Sequence, residues 1–320
     1  MTTMRDVAKK AGVGVGTVSR ALSDTGYTAK ATREKIFAAA DEMGYEYESP
    51  GRVPVKAITI GIMLPLLRHP FFSRISDAIE TELHQRGFRC LLYDNCNNVL
   101  HQREAIDMLD EGIINGLIAL GDPPPDFVKR EGRAIVSMDR RWGEDVPVVH
   151  SDHEQGGRLA AEAFLKSGCN KIIQFMGGNL SVSVNSRHTA LEKILRRNGC
   201  QVTSVHTPWN FMGYSYDRSV VRDYWNVIRE MDGCMTNDIA ALSCLSIALE
   251  MGVKVPEQLR IIGYDGTEIT KLSYPALSVV EQDCPAIAAA CADRLVELLD
   301  GKSAERETIV PVIWKSRGTT

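Results

Sequence analysis

Apolar residues recur with two different periods along this 320-residue chain, and the change of period divides it. Near the N-terminus the spacing is helical. Val7, Ala8 and Ala11 form one stripe, and Gly12 stops it, as glycine does where a helix ends in a left-handed turn. Thr3 and Asp6 ahead of the stripe have the spacing of a capping box. Val18, Ala21 and Leu22, at i, i+3 and i+4, predict a second helix that starts near Val15. Asp24 to Tyr27 reads as a turn. A third helix is predicted over about Ala31 to Met43, with Ile36, Ala39, Ala40 and Met43 inward and Gly44 closing it.

Pro50, Gly51 and Pro54 then interrupt any regular period, so this stretch reads as a linker. From Ala57 the pattern alternates between apolar runs of buried-strand length and amphipathic helices. Strands are predicted at 57–64, 89–93, 116–120 and 134–138, with helices at 72–87 and 102–112 between them. The alternation then restarts: helix 154–167, strand 171–176, helix 186–198, strand 202–206, helix 215–230, strand 233–236, helix 238–251 and strand 259–264. Repeated strand–helix units imply doubly wound parallel sheets covered on both faces, and two such sets imply two similar lobes with a cleft between them.

Charge sharpens the division. The whole chain carries a net −4, but residues 1–35 hold seven basic and three acidic side chains, so a head of +4 precedes a body of −8. A small basic head on an acidic body suits a DNA-binding module joined to something else. No apolar run approaches the ~20 residues that span a bilayer, and no apolar segment follows Met1 in the manner of a secretion signal, so a soluble cytoplasmic protein away from membranes is expected. The eight cysteines include no C-x-x-C pair and no zinc-finger spacing to histidine, so they read as reduced, packed thiols, with no metal or cofactor expected.

Two short helices joined by a glycine turn make a helix-turn-helix, whose second helix presents its N-terminal half to the major groove. Thr17 and Ser19 can donate to phosphate oxygens, and Arg20 can bond a guanine edge with two hydrogen bonds. The pattern alone also fits a generic three-helix bundle with solvated charges. The residue string decides between them. Arg-Asp-Val-Ala-Lys-Lys-Ala-Gly-Val (5–13), Thr-Val-Ser-Arg-Ala-Leu (17–22), Thr-Arg-Glu-Lys-Ile (32–36) and Met-Gly-Tyr (43–45) closely resemble, in order and spacing, the head of the LacI/GalR family of bacterial repressors. The resemblance implies that Val15, Gly16 and Arg20 stand at base-reading positions and that Thr17 and Ser19 contact the backbone, with Thr3 and Tyr27 completing the DNA-contact candidates. Gly16 offers only close approach.

The family's hinge helix, with its leucine wedge, has no counterpart here. Two prolines and a glycine leave no room for a regular two-turn helix, and no leucine lies between Tyr45 and Leu64. Arg52, Val53 and Val55 are the hinge candidates, the valines as smaller wedges, and a tether that bends DNA less than the family norm is expected.

The body resembles the periplasmic-binding-protein-like body of the same family through Gly-Leu-Ile-Ala-Leu (116–120), Asp152 with Gly156, Thr-Asn-Asp (236–238), Gly-Tyr-Asp-Gly (263–266) and Pro-Val-Ile-Trp-Lys-Ser-Arg (311–317). That fold crosses between lobes three times, here expected near His150, Leu277 and Ala304. The expected organisation is a head over 1–48, a linker over 49–56, and an effector-binding and dimerisation body over 57–320. Its first lobe takes about 57–150 and 278–303, and its second about 151–277 and 304–320. Ligands of such sheets sit beyond the carboxyl ends of the strands. The resemblance carries over Arg187, Asn237 and Asp265 as ligand contacts and Trp209 as an aromatic platform, with Phe71, Phe72, Asp139 and Gln282 as further contacts. Strand-end Asp and Asn also cap helices, and Asp238 is read as such a cap, Asp152 as a structural residue at a crossing.

The function expected is that of a ligand-controlled repressor: a homodimer on a palindromic operator in double-stranded DNA, with a sugar or sugar derivative in the cleft. An enzyme on the same fold and a cytoplasmic sugar-binding receptor are the rivals. The sequence lacks G-x-G-x-x-G after the first strand, a G-x-S-x-G elbow and a P-loop, which disfavours the enzyme. Salt-dependent DNA binding lost without residues 1–48 would exclude the receptor, and turnover of a small substrate would restore the enzyme.

Overall fold

Three helices form the head in the computed structural model, which describes residues 2–23, 27–45, 58–128, 130, 132–177, 182–207 and 214–320. Arg52, Val53, Val55 and Trp209 lie outside the described residues, as do residues 24–26 of the expected turn. Helix α1 (Met4–Ala11) begins at the expected capping box: Asp6 N donates to Thr3 Oγ1, and the Thr3 amide donates back to the Asp6 carboxylate at 2.9 Å. Gly12 ends it at φ +69°, a conformation in which a Cβ is strained. Helices α2 (Val15–Ser23) and α3 (Lys30–Glu42) follow. Their apolar stripes meet in a core of Val7, Ala8, Val18, Ala21, Leu22, Ile36, Ala39 and Ala40, with Met43 only partly buried. An ion pair of Lys10 with Glu42 ties α1 to the end of α3. Contact clustering separates this unit, Met1–Ala57, from the body, Ile58–Thr320.

The body holds two six-stranded sheets. The first takes β1 (Thr59–Leu64), β2 (Arg89–Asp94), β3 (Gly116–Leu120), β4 (Ile135–Met138), β5 (Val148–Ser151) and β11 (Glu307–Val310). The second takes β6 (Lys171–Gly177), β7 (Gln201–Thr207), β8 (Gly233–Asn237), β9 (Arg260–Asp265), β10 (Ser278–Gln282) and β12 (Val312–Lys315). Their orders, β11-β5-β4-β3-β1-β2 and β12-β10-β9-β8-β6-β7, are the same order in the two lobes. The last strand differs: β11 runs parallel to β5, whereas β12 runs antiparallel to β10.

Helices cover both faces, as buried parallel strands require. In the first lobe α4 (Pro70–Gln85) and α11 (Cys284–Leu299) pack together on one face, and α5 (Val99–Asp110) sets its Ala105 and Ile106 in a core with Leu117 and Ile135 on the other. In the second lobe α6 (His153–Lys166) and α7 (Val182–Arg197) share one core, while α8 (Tyr214–Asp223), the short α9 (Trp225–Ile228) and α10 (Asp238–Glu250) share another. The single helix expected over 215–230 is therefore two, broken at Tyr224.

Sheet membership moves two of the three expected crossings. The first falls at Asp152, between β5 and α6, beside the expected His150. The second falls at Asp283, between β10 and α11, rather than near Leu277, so 278–282 pairs within the second lobe. The third falls at Pro311, between β11 and β12, rather than near Ala304, so 307–310 belongs to the first lobe. Each crossing is one residue long. Asp152 and Asp283 adopt nearly the same backbone, φ −69°, ψ 79° and φ −79°, ψ 81°, and each caps the helix it enters, accepting from Gln155 N and Ala286 N. The Asp152 amide donates to Val310 O at 2.7 Å, which ties the first crossing to the third.

Among the described residues no helix is long and apolar enough to cross a membrane, no group of three or more His, Cys, Asp or Glu could hold a metal ion, and all eight cysteines are free.

Candidate functional site

On the head, the residues that sequence places at the DNA surface lie outside the core. Val15 is 41 % exposed and Tyr27 93 % exposed, although both are large and apolar in part. Gly16, Ser19 and Arg20 are exposed and Thr17 is half-buried. Arg20 Nε donates to Gly16 O at 3.2 Å, which sets the guanidinium on the turn that carries Gly16. A Cβ on Gly16 would meet nothing within 4 Å, so nothing in the free head demands glycine there. The Thr3 hydroxyl donates to Asp6 Oδ2 at 2.6 Å, so a phosphate contact from Thr3 would compete with the helix cap.

In the body, a cavity with about 1070 Å³ of empty space, its mouth included, opens at the carboxyl ends of strands from both sheets. It brings together Phe71, Phe72, Asp139, Arg187, Asn237, Asp265 and Gln282, seven side chains from six separate stretches of chain. Phe71 and Phe72 come from the first turn of α4, with ring centroids 5.5 Å apart and edge to face. Asp139 follows β4, and Asn237, Asp265 and Gln282 are the last residues of β8, β9 and β10. Arg187 stands on α7, its guanidinium carbon 4.2 Å from the centroid of the Tyr264 ring.

The two carboxylates at strand ends share a backbone feature. Asp139 has φ +58° and Asp265 φ +117°, a region that residues with a side chain rarely adopt. Such conformations persist where the surroundings fix them, and they cluster at ligand sites. Their electrostatics diverge. Burial pushes Asp139 up, but His153, whose Nε2 lies 3.1 Å from Oδ1, together with His150 and Arg187 offsets it and the carboxyl sits below its usual range. Burial dominates at Asp265 and raises it to about 7, against the nearby Arg187 and the hydrogen bond from Gln282 Nε2 at 2.8 Å. Gln282 in turn accepts from the Ser151 hydroxyl at 2.7 Å, a bond that runs from the end of β10 to the end of β5 in the other lobe.

Asn237 lines the cavity and also takes the cap expected of Asp238. The helix cap is Asn237, whose Oδ1 accepts from Ala240 N at 2.9 Å, leaving its amide nitrogen as the donor for the cavity. Asp238 is buried one residue further on and accepts from Thr267 N and Oγ1, both at 2.7 Å, which makes it a brace of the 265–267 turn.

The cavity also holds residues that sequence did not single out. His69, the residue before α4, is buried, and burial pushes its imidazole down to about 4. Neither of its ring nitrogens has a hydrogen-bond partner among the described residues. His153, Arg140, Asp217 and Thr236 add polar atoms, and Met138, Phe175, Val184 and Val221 add apolar wall. The signals were faint: a lone histidine ahead of Pro-Phe-Phe, and one just after Asp152.

Two glycines set how close Arg187 comes. A Cβ on Gly157 of α6 would drive into the Arg187 carbonyl oxygen, and one on Gly156 would overlap the Tyr264 hydroxyl. The Gly156–Gly157 pair therefore lets α6 lie against both the Tyr264 ring and the Arg187 backbone.

The cavity offers ionised and ionisable carboxylates as acceptors, guanidinium and amide groups as donors, and aromatic and aliphatic faces between them. Such a lining suits a small neutral polyol, with hydroxyls bridging carboxylate to guanidinium and C–H faces against Phe71 and Phe72.

Comparison with known proteins is consistent across both units. Residues 3–47 match the model for bacterial regulatory proteins of the lacI family, and residues 161–320 match that of the periplasmic binding protein-like domain. A sucrose operon repressor from Streptococcus mutans is 29 % identical over 318 residues, covering 97 % of this chain and 96 % of that protein. A regulator from Alkaliphilus metalliredigens complexed with D-xylulofuranose superposes with TM-score 0.75 at 23 % identity, over 82 % of this chain and 99 % of that one. The lac repressor dimer bound to operator and an anti-inducer superposes with TM-score 0.70 at 24 % identity, over 100 % and 99 %. At these identities the two structural likenesses speak for the fold.

Proposed function

The chain belongs to the lacI family of bacterial regulatory proteins, and on that premise we propose that it is an operator-binding repressor governed by a carbohydrate held between its lobes. The observation that carries the ligand half of this reading is the convergence of Asp139, Arg187, Asn237, Asp265 and Gln282 on one cavity whose remaining wall is largely apolar. The operon repressor named among its relatives, and the sugar bound by its structural neighbour, point the same way.

Val15, Gly16 and Arg20 read bases in this proposal, and Thr17, Ser19, Thr3 and Tyr27 hold the backbone. Two copies bind a two-fold operator, because one head reaches only a half-site. The head extends over residues 1–48 and the body over 57–320, and the protein works in the cytoplasm, where its DNA is. Sugar binding changes operator affinity only as far as it favours one lobe geometry over another.

Binding is favoured over turnover by the state of the cavity's two imidazoles, those of His69 and His153. Among the described residues lining the cavity, His153 is the histidine with a carboxylate partner, and its second nitrogen is taken by the Tyr264 hydroxyl at 3.0 Å. His153 therefore keeps no nitrogen free to take a substrate proton, and burial, which pushes His69 down to about 4, disfavours proton uptake there.

The test is a titration of the full chain with D-xylulose, D-ribose and sucrose, read by melting temperature and calorimetry, beside operator binding at two salt concentrations. A specific sugar raises the melting temperature by mass action, and operator binding falls steeply with salt. Absence of any sugar effect would sink the carbohydrate reading, and salt-independent DNA binding would sink the operator reading.

A further inference from the structure

The polar side chains of the cavity belong to two different lobes, and one imidazole touches both sets. His153 opens α6 directly after the first crossing and is fully buried, at 2 % exposure. Its Nε2 lies 3.1 Å from Asp139 Oδ1 in the first lobe, and its Nδ1 lies 3.0 Å from Tyr264 Oη in the second. The Tyr264 ring carries the Arg187 guanidinium on its face. We propose that His153 is a positioning residue for the ligand, joining Asp139 to the Tyr264–Arg187 pair so that the two halves of the cavity are set as one unit. This rests on the reading of the cavity as a carbohydrate site and goes beyond it.

The chemistry fixes each proton along the chain. Asp139 is held ionised and can only accept, so His153 Nε2 carries hydrogen and donates to it. Burial holds the His153 ring below its usual pKa, against the pull of Asp139. The ring is therefore neutral at pH 7 and Nδ1 presents a lone pair. Tyr264, whose phenol burial pushes up, keeps its hydrogen and donates it to Nδ1. The donors all run one way, from tyrosine through imidazole to carboxylate.

The surroundings are shaped to this chain. Gly156, one turn along α6, leaves the space that the Tyr264 hydroxyl occupies, and Gly157 leaves the space for the Arg187 backbone. His150 of β5 stacks on His153, with rings 8° from parallel and centroids 6.4 Å apart. The charged or titratable groups facing His153 are Asp139 after β4, His150 on β5, Arg187 and His188 on α7 and Tyr264 on β9. Protonating His153 would remove the Nδ1 acceptor and turn the Tyr264 hydroxyl away, so the tether opens in acid and sugar affinity falls there.

The experiment is a double-mutant cycle in the full chain, with D-xylulose and D-ribose as probes by calorimetry, joined to nitrogen-15 spectra of the histidine rings. In the wild type, His153 should be neutral and protonated at Nε2 at pH 7. Tyr264→Phe should weaken sugar binding by roughly two- to tenfold, the range of one hydrogen bond. In the His153→Phe background the same change should have no further effect, because the partner is gone. His153→Asn, whose amide can donate to Asp139 and accept from Tyr264, should restore affinity at pH 7 and flatten its fall in acid. Additive losses from Tyr264→Phe and His153→Phe, an Nδ1-protonated ring, or coupling seen in melting temperature but not in sugar affinity would each overturn the proposal. Failure of the wild type to bind either sugar is a separate result: it would overturn the carbohydrate reading, and the positioning role with it.

Discussion

The head and the body separate function from folding to different degrees. On the head, Val15, Gly16, Ser19 and Arg20 project from α2 while Val18, Ala21 and Leu22 on the same helix fill the core. The candidate reading residues add little to stability, and the core residues do not face outward. In the body three of the candidate ligand residues are the ends of the strands themselves. Asn237 caps α10, Asp265 takes a rarely adopted φ at the end of β9, and Gln282 links two sheets through Ser151. A surface helix can change its reading residues and keep its fold. A cavity built at strand ends changes ligand affinity and stability together.

The largest expected effect tests the body half of that contrast. Gly157→Ala places a methyl group against the Arg187 carbonyl, so α6 and α7 must part. Overpacking of this kind costs about 1–3 kcal/mol. Calorimetry should show a lower melting temperature together with loss of sugar binding. Retention of affinity in a destabilised protein would separate the two properties and break the comparison.

Asp265 gives the second prediction, with opposite signs for stability and affinity. Its carboxyl titrates near 7 in the fold against an ordinary value of 3.8, so folding favours its protonated form. That contribution to stability is fully present below the ordinary value and is lost as pH rises through about 7. A sugar whose hydroxyls donate to the ionised carboxylate follows the reverse course, its affinity falling as pH drops through the same region. Asp265→Asn should remove the stability dependence and the part of the affinity change near pH 7, leaving the fall at lower pH that His153 sets. A sugar affinity flat from pH 5 to pH 8 in the wild type would contradict the assignment.

On the head, Arg20→Ala should weaken operator binding by about 1–3 kcal/mol if it reads a guanine edge, and leave the melting temperature within about 0.5 kcal/mol of stability. A gel-shift titration beside a thermal melt decides it; a large fall in stability would mean that the head mixes its roles as the body does. The smallest effect is Gly16→Ala. With open space around its Cβ, it should stabilise α2 by up to about 1 kcal/mol, the helical preference of alanine over glycine. Its consequence on operators should be a changed base preference, measurable by selection from a randomised half-site.

The same contrast governs what could be read from the residues alone. The head was legible almost to the residue, because capping box, glycine stop and apolar stripes are local signals. So were β1 and β3, whose continuous apolar runs are buried on both faces. The strands β5 and β10 were harder: His150 interrupts one, and Glu281 and Gln282 end the other. Hydropathy also cannot say which sheet a strand joins, so the second and third crossings were misplaced by several residues. Among candidate ligand residues, those at strand ends could be found from the alternation together with the family resemblance. His69 and His153 could not, since a single histidine has no period and its meaning depends on the carboxylate, phenol or ring the fold brings beside it. That Asn237 rather than Asp238 caps α10 has the same cause: two adjacent polar residues at a helix start are equivalent until Thr267 arrives from the turn after β9.

The three one-residue crossings at Asp152, Asp283 and Pro311 have a mechanical consequence. Three short strips laid side by side between two stiff plates form a flexure: compliant in bending, stiff in shear and in twist. The bond from Asp152 N to Val310 O pins two of those strips together and narrows the choice of axis further. Bending at such a hinge changes one quantity above all, the angle between the plates. A molecule lodged in the gap acts on that single angle wherever it touches, so ligands of different shape can deliver the same signal provided they hold the plates equally far open.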